Sequence, residues 1–263
     1  MTTPLPTVYI ITLPGARRTA MQRQLDALNT VKYEFFDGVH GREQPDHYLF
    51  QKYDARRRAA VKGKSNPLKL SQLGCFASHY LLWERCIHNN APIIVLEDDA
   101  VVLPCFADFY ARAMTLAGKH GLIWLNESTK APRQKDLVLE QSGPFKIKKR
   151  MGVHTGAVGY LLTPSSARAL VEYCSTWVYP VDDSMARFYD HKVESIVMEP
   201  ACVAHNDAFE STINDAASKP KRTIADRLAR ESSNLKDAIK RSLHNARFYV
   251  GRKWGEPARR LHS

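Results

Sequence analysis

The segment from residue 91 to 101 constrains the fold of this chain more than any other. Its four β-favouring apolar residues, 93–96, lead directly into Glu97, Asp98 and Asp99, after which apolar sequence resumes. A short unbroken apolar run is typical of a buried strand in a parallel sheet, and open α/β sheets bind ligands at the carboxyl ends of such strands. Because three adjacent carboxylates repel one another, we expect a hard cation, Mn²⁺ or Mg²⁺, to neutralise them. The alternative is an acidic turn that follows a core strand.

Segments with strand and helix patterns alternate along the chain. Strands are predicted at residues 8–13, 33–39, 122–125 and 158–162 and near 195–203. Helices are predicted at residues 17–28, 105–117 and 184–189. A further helix is predicted to follow Ser71, its N-cap, and another to run from Thr163-Pro164 to about residue 174. Residues 41–70 are polar, basic and predicted to be irregular, and residues 127–150 are again polar, with no element predicted. The alternation implies an α/β fold with a Rossmann-like, mostly parallel sheet and helices on both faces.

Composition and cysteine usage indicate a globular protein of a reducing compartment. The 263 residues are 44% apolar and 25% charged, as in ordinary globular domains. The five cysteines form no Cys-x-x-Cys pair, so we expect free thiols. The first apolar run, residues 8–13, is too short for a signal peptide, and no segment approaches the roughly 18 to 20 apolar residues of a membrane span. We therefore expect a cytoplasmic protein.

The net charge of +11 is concentrated at the carboxyl end of the chain. Residues 219–263 contain 13 Lys/Arg against 4 Asp/Glu, which leaves a net charge of only +2 for residues 1–218. We therefore predict a catalytic domain at residues 1–218 and a basic tail at residues 219–263.

The tail has the pattern of an amphipathic helix. Its apolar residues fall on one stripe at helical spacing, with the cationic residues outside it; the stripe consists of Ile224, Leu228, Leu235, Ile239, Leu243, Ala246 and Val250. Residues 232–234 (Ser-Ser-Asn) are a predicted break, and Phe248, Tyr249 and Trp254 lie near the end. This pattern is typical of an anchor that lies in the membrane interface. The alternative is that the stripe packs on the catalytic domain or on a second subunit.

Several segments together resemble glycosyltransferase family 25, which includes bacterial lipooligosaccharide galactosyltransferases and collagen galactosyltransferases. Residues 70–79 (Leu-Ser-Gln-Leu-Gly-Cys-Phe-Ala-Ser-His), with Trp83 and residues 94–99 beyond them, are similar to its signature. The other matching segments are residues 8–13 with Arg17-Arg18, residues 36–41, residues 156–162 and Pro180-Val-Asp182. The resemblance extends from about residue 7 to residue 215.

The resemblance implies a GT-A-type enzyme that binds a nucleotide sugar and a divalent metal ion on its sheet. It implies an inverting, metal-dependent transferase that moves a hexose, most simply galactose from UDP-galactose in a β-galactosyl transfer, to a lipooligosaccharide or lipopolysaccharide acceptor. Glucose is the competing donor sugar. The metal would stabilise the leaving diphosphate. Within the triplet, Asp99 is the expected metal ligand, while Glu97 and Asp98 would hold ribose, sugar hydroxyls or metal-bound water.

The acceptor hydroxyl needs a carboxylate base, for which Asp182 and Asp183 are the candidates. Asp182 matches the acid that the family carries after Pro-x. Either residue could instead cap the helix predicted at residues 184–189. The basic cluster at residues 146–150 is a candidate contact for acceptor phosphates or a solvated loop.

His205 follows a predicted strand and is a candidate second metal ligand or phosphate contact, because a neutral imidazole suits Mn²⁺. The alternative is a surface histidine. Ser211 and Thr212 are weaker candidates for hydrogen bonds to the diphosphate.

The remaining candidates concern the nucleotide sugar. Arg17 and Arg18 follow the first strand, where uridine and phosphates approach in this fold, although helix-surface arginines would look the same. His79 lies in the family signature, with a helix-to-strand hydrogen bond as the alternative. Thr155 and Gly156 resemble a donor-sugar loop in which glycine permits close approach.

Two functions of other classes compete with the transferase. A sequence pI near 9.5 suggests a nucleic-acid-binding protein, but the charge lies in the tail without an aromatic-rich binding motif. A catalytically silent member of the family could act as a membrane scaffold, against which the intact acidic motifs argue. A homodimer is a further open alternative.

Overall fold

An eight-stranded sheet organises the residues that the computed structural model describes, which are 4–128, 135–206 and 223–253. The strands are β1 (Thr7–Thr12), β2 (Tyr33–Asp37), β3 (Ile93–Glu97), β4 (Ala100–Val102), β5 (Leu122–Trp124), β6 (Leu137–Ser142), β7 (Phe145–Lys149), β8 (Gly159–Leu162), β9 (Ile196–Glu199) and β10 (Val203–His205). The helices are α1 (Ala16–Asp26), α2 (Ala55–Lys62), α3 (Leu70–Asn89), α4 (Phe106–Ala117), α5 (Pro164–Tyr173), α6 (Val181–Met185), α7 (Phe188–His191) and α8 (Ile224–Lys253), with a 3₁₀ helix at Tyr48–Lys52.

The sheet is mostly parallel, as the sequence predicts. Its strand order is β2-β1-β3-β8-β5-β9-β7-β6. The strands β8 and β7 run against their neighbours, and the other six share one direction. The short strands β4 and β10 form a separate antiparallel ribbon. The prediction of an α/β fold with a large, mostly parallel sheet is confirmed.

The two faces of the sheet are both buried, which explains the unbroken apolar run in β3. Ile93 and Val95 belong to one core cluster, together with side chains of α3 and α5. Ile94 and Leu96 belong to the other, together with side chains of α1 and α4. Because successive side chains of a strand point to opposite faces, all four must be apolar.

Two polar segments are more regular than predicted. Residues 41–70 include the 3₁₀ helix and α2, and residues 127–150 include the antiparallel pair β6–β7. In β7 the side chains of Phe145, Ile147 and Lys149 are buried, and Lys149 forms an ion pair with Glu194. The strand β7 was not predicted because the buried Lys149, paired with the half-buried Glu194, continues the apolar alternation of the strand.

The ends of several elements also differ from the predictions. The segment predicted as one strand near 195–203 is divided into β9 and β10, with Pro200 between them. The helix predicted at 184–189 is two short helices, α6 and α7. Helix α3 begins at Leu70 with Lys69 as N-cap, rather than after Ser71. The predicted start of α5 is confirmed, since the Thr163 side chain accepts a hydrogen bond from the Ser166 backbone.

The tail forms one helix without the predicted break at residues 232–234. Helix α8 lies against α2 and α7. Trp254 lies outside the described residues. Among the residues that are described, no helix has the length and apolar character that crossing a bilayer requires. All five cysteines are free thiols, as predicted.

Candidate active site

A cavity of about 780 Å³ opens at the carboxyl ends of β1, β2 and β3. The loop after β1, the loop after β2, one face of α3 and the Glu97–Asp99 triplet form its walls. This is the edge of an open α/β sheet at which ligands bind, and the volume is in the range of small-molecule sites. Asp98 and Asp99 do form the turn after β3, and this turn lies, together with Glu97, on the wall of the cavity.

Two glycines set the close packing of the loop after β2 against α3. A Cβ at Gly41 would lie 1.9 Å from the Leu70 carbonyl oxygen, and one at Gly74 would lie 2.4 Å from the Val39 carbonyl oxygen. The Ser78 hydroxyl reinforces this contact, since it accepts a hydrogen bond from the Val39 backbone at 2.8 Å. These close approaches give a physical reason for the glycines of both segments.

Asp98 joins the first and third strands of the site. Its carboxylate accepts hydrogen bonds from the Thr12 hydroxyl at 2.9 Å, the Leu13 backbone at 3.4 Å and the Arg17 guanidinium at 3.5 Å. Both Asp98 and Arg17 line the cavity. The structure thus brings Arg17 to the acidic triplet and gives Asp98 a role in shaping the cavity wall.

Arg18 takes a different direction from Arg17. Its guanidinium pairs with Asp37 at 2.8 Å and lies over the ring of Phe35, 4.4 Å from the centroid. This pair is exposed, and Arg18 does not contribute to the cavity lining.

Glu97 is held by a chain of hydrogen bonds that crosses the core. Trp83 donates to the Tyr160 hydroxyl at 2.9 Å, Tyr160 contacts His79 Nδ1 at 2.9 Å, and His79 Nε2 contacts Glu97 Oε1 at 3.1 Å. Since an indole N–H can only donate, we assign the Tyr160 proton to His79 Nδ1 and the imidazole N–H to Glu97. His79 therefore makes the helix-to-strand hydrogen bond that was its alternative, and this bond orients a carboxylate that lines the cavity.

Cys75, His79 and Glu97 bring three potential ligand atoms within 4.8 Å of one another. His79 and Glu97 are already paired with each other. Burial, and then the carboxylates of Glu97, Asp182 and Asp99, raise the pKa of the Cys75 thiol well above its usual range. Because the thiolate is the form that binds metals, this group is a weak cation site.

Asp99 and His205 fit a divalent cation better. The ribbon of β4 and β10 pairs His205 with Ala100, which brings His205 Nε2 to 3.3 Å from Asp99 Oδ2. Burial, and then the charge of Glu97, raise the pKa of Asp99 to about 6. Its Oδ1 is buried without a hydrogen-bond partner among the described residues. A carboxylate with an unused buried oxygen beside an imidazole is a donor set that suits Mn²⁺.

Asp182 lies at the start of α6 and contacts the loop before β8. Its Oδ2 accepts a hydrogen bond from the Gly156 backbone at 3.2 Å, and Gly156 has a φ of +88°, which favours glycine. Burial, and then the charge of Asp183, raise the pKa of Asp182, and Glu97 contributes in the same direction. Asp182 therefore shares its electrostatic environment with the acidic triplet.

Asp183 faces a different set of side chains from Asp182. Its negative charge acts on Arg58 and Lys62, and it opposes the lowering of both pKa values by burial. Neither aspartate is the N-cap of α6, a position that Pro180 occupies. The two neighbouring candidates therefore have different surroundings, with Asp182 at the Gly156 loop and Asp183 near Arg58 and Lys62.

The loop around Gly156 also brings in residues that the sequence analysis missed. The Asn126 side-chain amide donates to the Gly156 carbonyl at 3.3 Å, and the Thr155 hydroxyl lies 3.0 Å from that of Ser128. Asn126 directly follows the apolar segment 122–125, so a polar residue at a strand end was an available indication. Tyr160 lies inside a buried strand, and nothing in the sequence indicated that its hydroxyl would contact His79.

The basic cluster at residues 146–150 does not line the cavity, and neither do Asp182, Asp183 and His205. Lys148 and Arg150 pair with Glu199 and Asp136, and Lys149 is buried, so most of the 146–150 cluster already has protein partners. Ser211 and Thr212 lie outside the described residues.

Comparisons with known proteins point to one family. The model of glycosyltransferase family 25 (LPS biosynthesis protein) matches residues 5–185. A glycosyltransferase 25 family member of Anopheles gambiae is 28% identical over 195 residues, which cover 70% of this chain and 32% of that protein. The lipooligosaccharide biosynthesis protein lic2B of Haemophilus influenzae is 26% identical over 178 residues, which cover 62% of this chain and 61% of that protein. The chain thus spans less than two thirds of either relative.

A solved glycosyltransferase involved in the glycosylation of the major capsid of PBCV-1 is also similar, with a TM-score of 0.41 and 7% sequence identity. That comparison covers 88% of this chain and 100% of the other.

Proposed function

Because the chain belongs to glycosyltransferase family 25, we propose that it transfers a hexose from a nucleotide sugar to the oligosaccharide of lipooligosaccharide or lipopolysaccharide. The observation that carries this proposal is the acidic triplet Glu97–Asp99 on the wall of the cavity at the carboxyl edge of the sheet. A GT-A-type enzyme would bind its nucleotide sugar there. Galactose from UDP-galactose is the proposed donor sugar by family resemblance, with glucose as its competitor.

Asp99 and His205 would hold Mn²⁺ or Mg²⁺, which when bound supplies Lewis-acid stabilisation of the diphosphate leaving group. Their separation of 3.3 Å and the unused buried oxygen of Asp99 support this assignment. Arg17 adds a guanidinium on the same wall, where it would attract the phosphates. Glu97, oriented by His79, would accept hydrogen bonds from ribose or sugar hydroxyls.

Asp182 is the proposed base. In an inverting transfer, one carboxylate removes the proton from the acceptor hydroxyl while that oxygen attacks the anomeric carbon from the face opposite the leaving group. A raised pKa makes a carboxylate a stronger base once it is ionised, and burial and Asp183 raise the pKa of Asp182. The hydrogen bond from Gly156 fixes one carboxylate oxygen, which supports a defined orientation toward the acceptor.

The acceptor proposed here is attached to a lipid, so the enzyme would act at the cytoplasmic face of the inner membrane. The relationship to lic2B supports an acceptor of this class. A homodimer is compatible with the proposal and is not required by it.

Donor and metal binding can be tested by thermal shift with UDP-galactose and UDP-glucose, each with and without Mn²⁺. A bound ligand raises the melting temperature by mass action, and we expect the largest increase with UDP-galactose and Mn²⁺ together. Asp99→Asn should remove the metal-dependent part of the increase and abolish transfer. Asp108→Asn, which changes an exposed carboxylate on α4, is the matched control. A folded Asp99→Asn protein with wild-type turnover would contradict the metal assignment.

The base assignment is tested by comparing two adjacent substitutions. Asp182→Asn should lower kcat by about 10² to 10⁴ and leave the donor-induced thermal shift nearly unchanged, because the base acts on the acceptor. Asp183→Asn is the control, since its side chain acts on Arg58 and Lys62. If the rate is lost in Asp183→Asn and kept in Asp182→Asn, the base is Asp183.

A further inference from the structure

Helix α8 is attached to the rest of the protein by its polar face. Arg187 donates to Asp237 at 2.8 Å, His244 Nε2 lies 2.7 Å from Glu194, and the Asn245 amide donates to the Met151 carbonyl at 2.9 Å. Near the start of the helix, Asp226 accepts a hydrogen bond from the Lys64 backbone at 2.9 Å. The side of α8 that faces the protein is therefore held by ion pairs and hydrogen bonds.

The apolar stripe of α8 faces away from the protein. Its large side chains are between 53% and 78% exposed; they are Ile224, Leu228, Leu235, Ile239, Leu243 and Val250. Together with Tyr249, they make up seven of the eleven exposed large apolar side chains in the part of the chain that the structure describes. The alternative that the stripe packs on the rest of this chain is wrong for the described residues, because the opposite, polar face makes that contact. A concentration of exposed apolar side chains on one face indicates an interaction surface.

Cationic side chains lie on both sides of the stripe. At 100° per residue, Lys236, Lys240 and Arg247 fall on one side, and Arg227 and Arg252 fall on the other. Two of them also contact the rest of the protein, since Lys240 pairs with Asp190 at 3.0 Å and Arg252 donates to the Leu139 carbonyl at 3.1 Å. All five are exposed, whereas a single acid of the helix, Glu231, is exposed. The acids Asp226 and Asp237 point toward the protein, where they have partners. The outward face of α8 is thus apolar along its centre, with Lys236 and Arg247 along one edge and with Arg227 and the acid Glu231 along the other.

We propose that this face of α8 binds an anionic lipid surface, with the helix lying in the plane of the membrane interface. The stripe would enter the boundary between headgroups and acyl chains, and the basic side chains would contact lipid phosphates. A second copy of the chain fits this face less well. An isologous contact would bring the Lys236 and Arg247 edges of two helices together, whereas an anionic bilayer complements them.

Attachment through the polar face gives the membrane contact a fixed relation to the catalytic domain. Arg187, which pairs with Asp237 of α8, belongs to the short segment between α6 and α7, and α6 carries Asp182. The helix is therefore a docked surface of the domain and not a loose tether. The proposal does not depend on the sugar or the acceptor, so it can fail or succeed without the proposed reaction.

The experiment measures binding of the full-length protein to vesicles by sedimentation, without any substrate. The vesicles contain equal parts of phosphatidylglycerol and phosphatidylcholine, or phosphatidylcholine alone. Three variants are compared with the wild type: a stripe variant (Leu235→Gln, Ile239→Gln, Leu243→Gln), an edge variant (Lys236→Glu, Arg247→Glu) and a control (Arg23→Glu, Lys32→Glu). The control makes the same charge change at exposed positions outside α8.

We expect the wild type to bind the anionic vesicles and to bind less at high salt. The stripe variant should bind about tenfold more weakly or worse, the edge variant should also lose binding, and the control should retain most of it. Because the substituted side chains are exposed and glutamine favours helix, far-UV circular dichroism should match the wild type; the single changes Leu235→Gln and Leu243→Gln give smaller losses of the same sign.

Three results would overturn the proposal. The first is equal binding by the wild type and the stripe variant. The second is an equal loss in the control and the edge variant, which would make total charge the cause. The third is a wild-type dimer in light scattering that the stripe variant dissociates, together with no vesicle binding; this result would assign the stripe to a second copy of the chain.

Discussion

At the residue scale, the three adjacent carboxylates of the site coexist because each has a different environment. Glu97 is hydrogen-bonded to His79. Asp98 accepts a hydrogen bond from Thr12 and pairs with Arg17, and Asp99 lies beside His205. Glu97 ends β3, whereas Asp98 and Asp99 lie in the turn before β4; the three carboxylates therefore have separate partners, which offset their repulsion. Asp99 keeps an unused buried oxygen, which is why a cation would be expected at that residue of the triplet.

The first prediction concerns Tyr160, whose hydroxyl links Trp83 to His79. Tyr160→Phe should lower the free energy of unfolding by about 1 to 3 kcal/mol, because it leaves the buried Trp83 N–H and His79 Nδ1 without this partner. Urea denaturation measures the change. Tyr48→Phe removes a hydroxyl at a side chain that is 61% exposed and should change the free energy by less than about 0.5 kcal/mol. Equal effects would show that the hydrogen-bond chain contributes nothing to stability.

At the element scale, local periodicity predicted most of the strands and helices, because an apolar face is recorded in neighbouring residues. The elements β3, α4 and α5 were predicted to within a few residues. The pair β6–β7 was missed because the burial of Lys149 depends on Glu194, which lies far away in the sequence. For the same reason, the sequence predicted the stripe of α8 and not which face of the helix would dock.

The same limit applies to the candidate site. The triplet Glu97–Asp99 could be predicted because the apolar run and the acids are adjacent in the sequence. The family resemblance favoured Asp182 over Asp183, but the contacts that distinguish the two could not be predicted, since the Gly156 loop, Arg58 and Lys62 are distant in the sequence.

The second prediction concerns the attachment of α8. Arg187 and Asp237 are both largely buried, so Asp237→Asn should lower the free energy of unfolding by about 3 kcal/mol, as expected when one partner of a buried ion pair is removed. Glu231→Gln removes a carboxylate from an exposed position of the same helix and should change it by less than about 0.5 kcal/mol.

Chemical denaturation gives the two values, and amide hydrogen exchange should be faster along α8 in Asp237→Asn. The docking contact would be refuted if both variants were as stable as the wild type.

At the scale of the whole molecule, burial extends to titratable side chains far from the cavity. His154 is fully buried and stacked on Trp124, with ring centroids 4.3 Å apart. Burial lowers the pKa of His154 to about 3 and that of His191 to about 4. Both imidazoles are therefore neutral in the folded protein at pH values at which an unfolded chain binds protons.

The third prediction is that stability falls as the pH decreases from about 6.5 to about 4. In this window the unfolded chain binds protons to histidines of normal pKa, near 6.5, while the folded protein excludes them, so the free energy of unfolding decreases with pH. In His191, Nε2 donates to the Met185 carbonyl and Nδ1 accepts from the Val193 backbone, an arrangement that the doubly protonated ring cannot make. The loss from His191 alone should be on the order of 3 kcal/mol by about pH 4.

Urea denaturation at a series of pH values between 7 and about 4 measures this dependence. His191→Asn should be less stable than the wild type at pH 7 and should show a shallower decrease toward acid, because one excluded proton is gone. His88→Asn changes an exposed histidine of α3 and should keep the wild-type slope. The pH dependence of the free energy of unfolding separates the effect of the excluded proton from that of lost packing. Lost packing lowers the free energy of unfolding by the same amount at every pH. Parallel curves for the wild type and His191→Asn would mean that His191 is protonated in the folded protein.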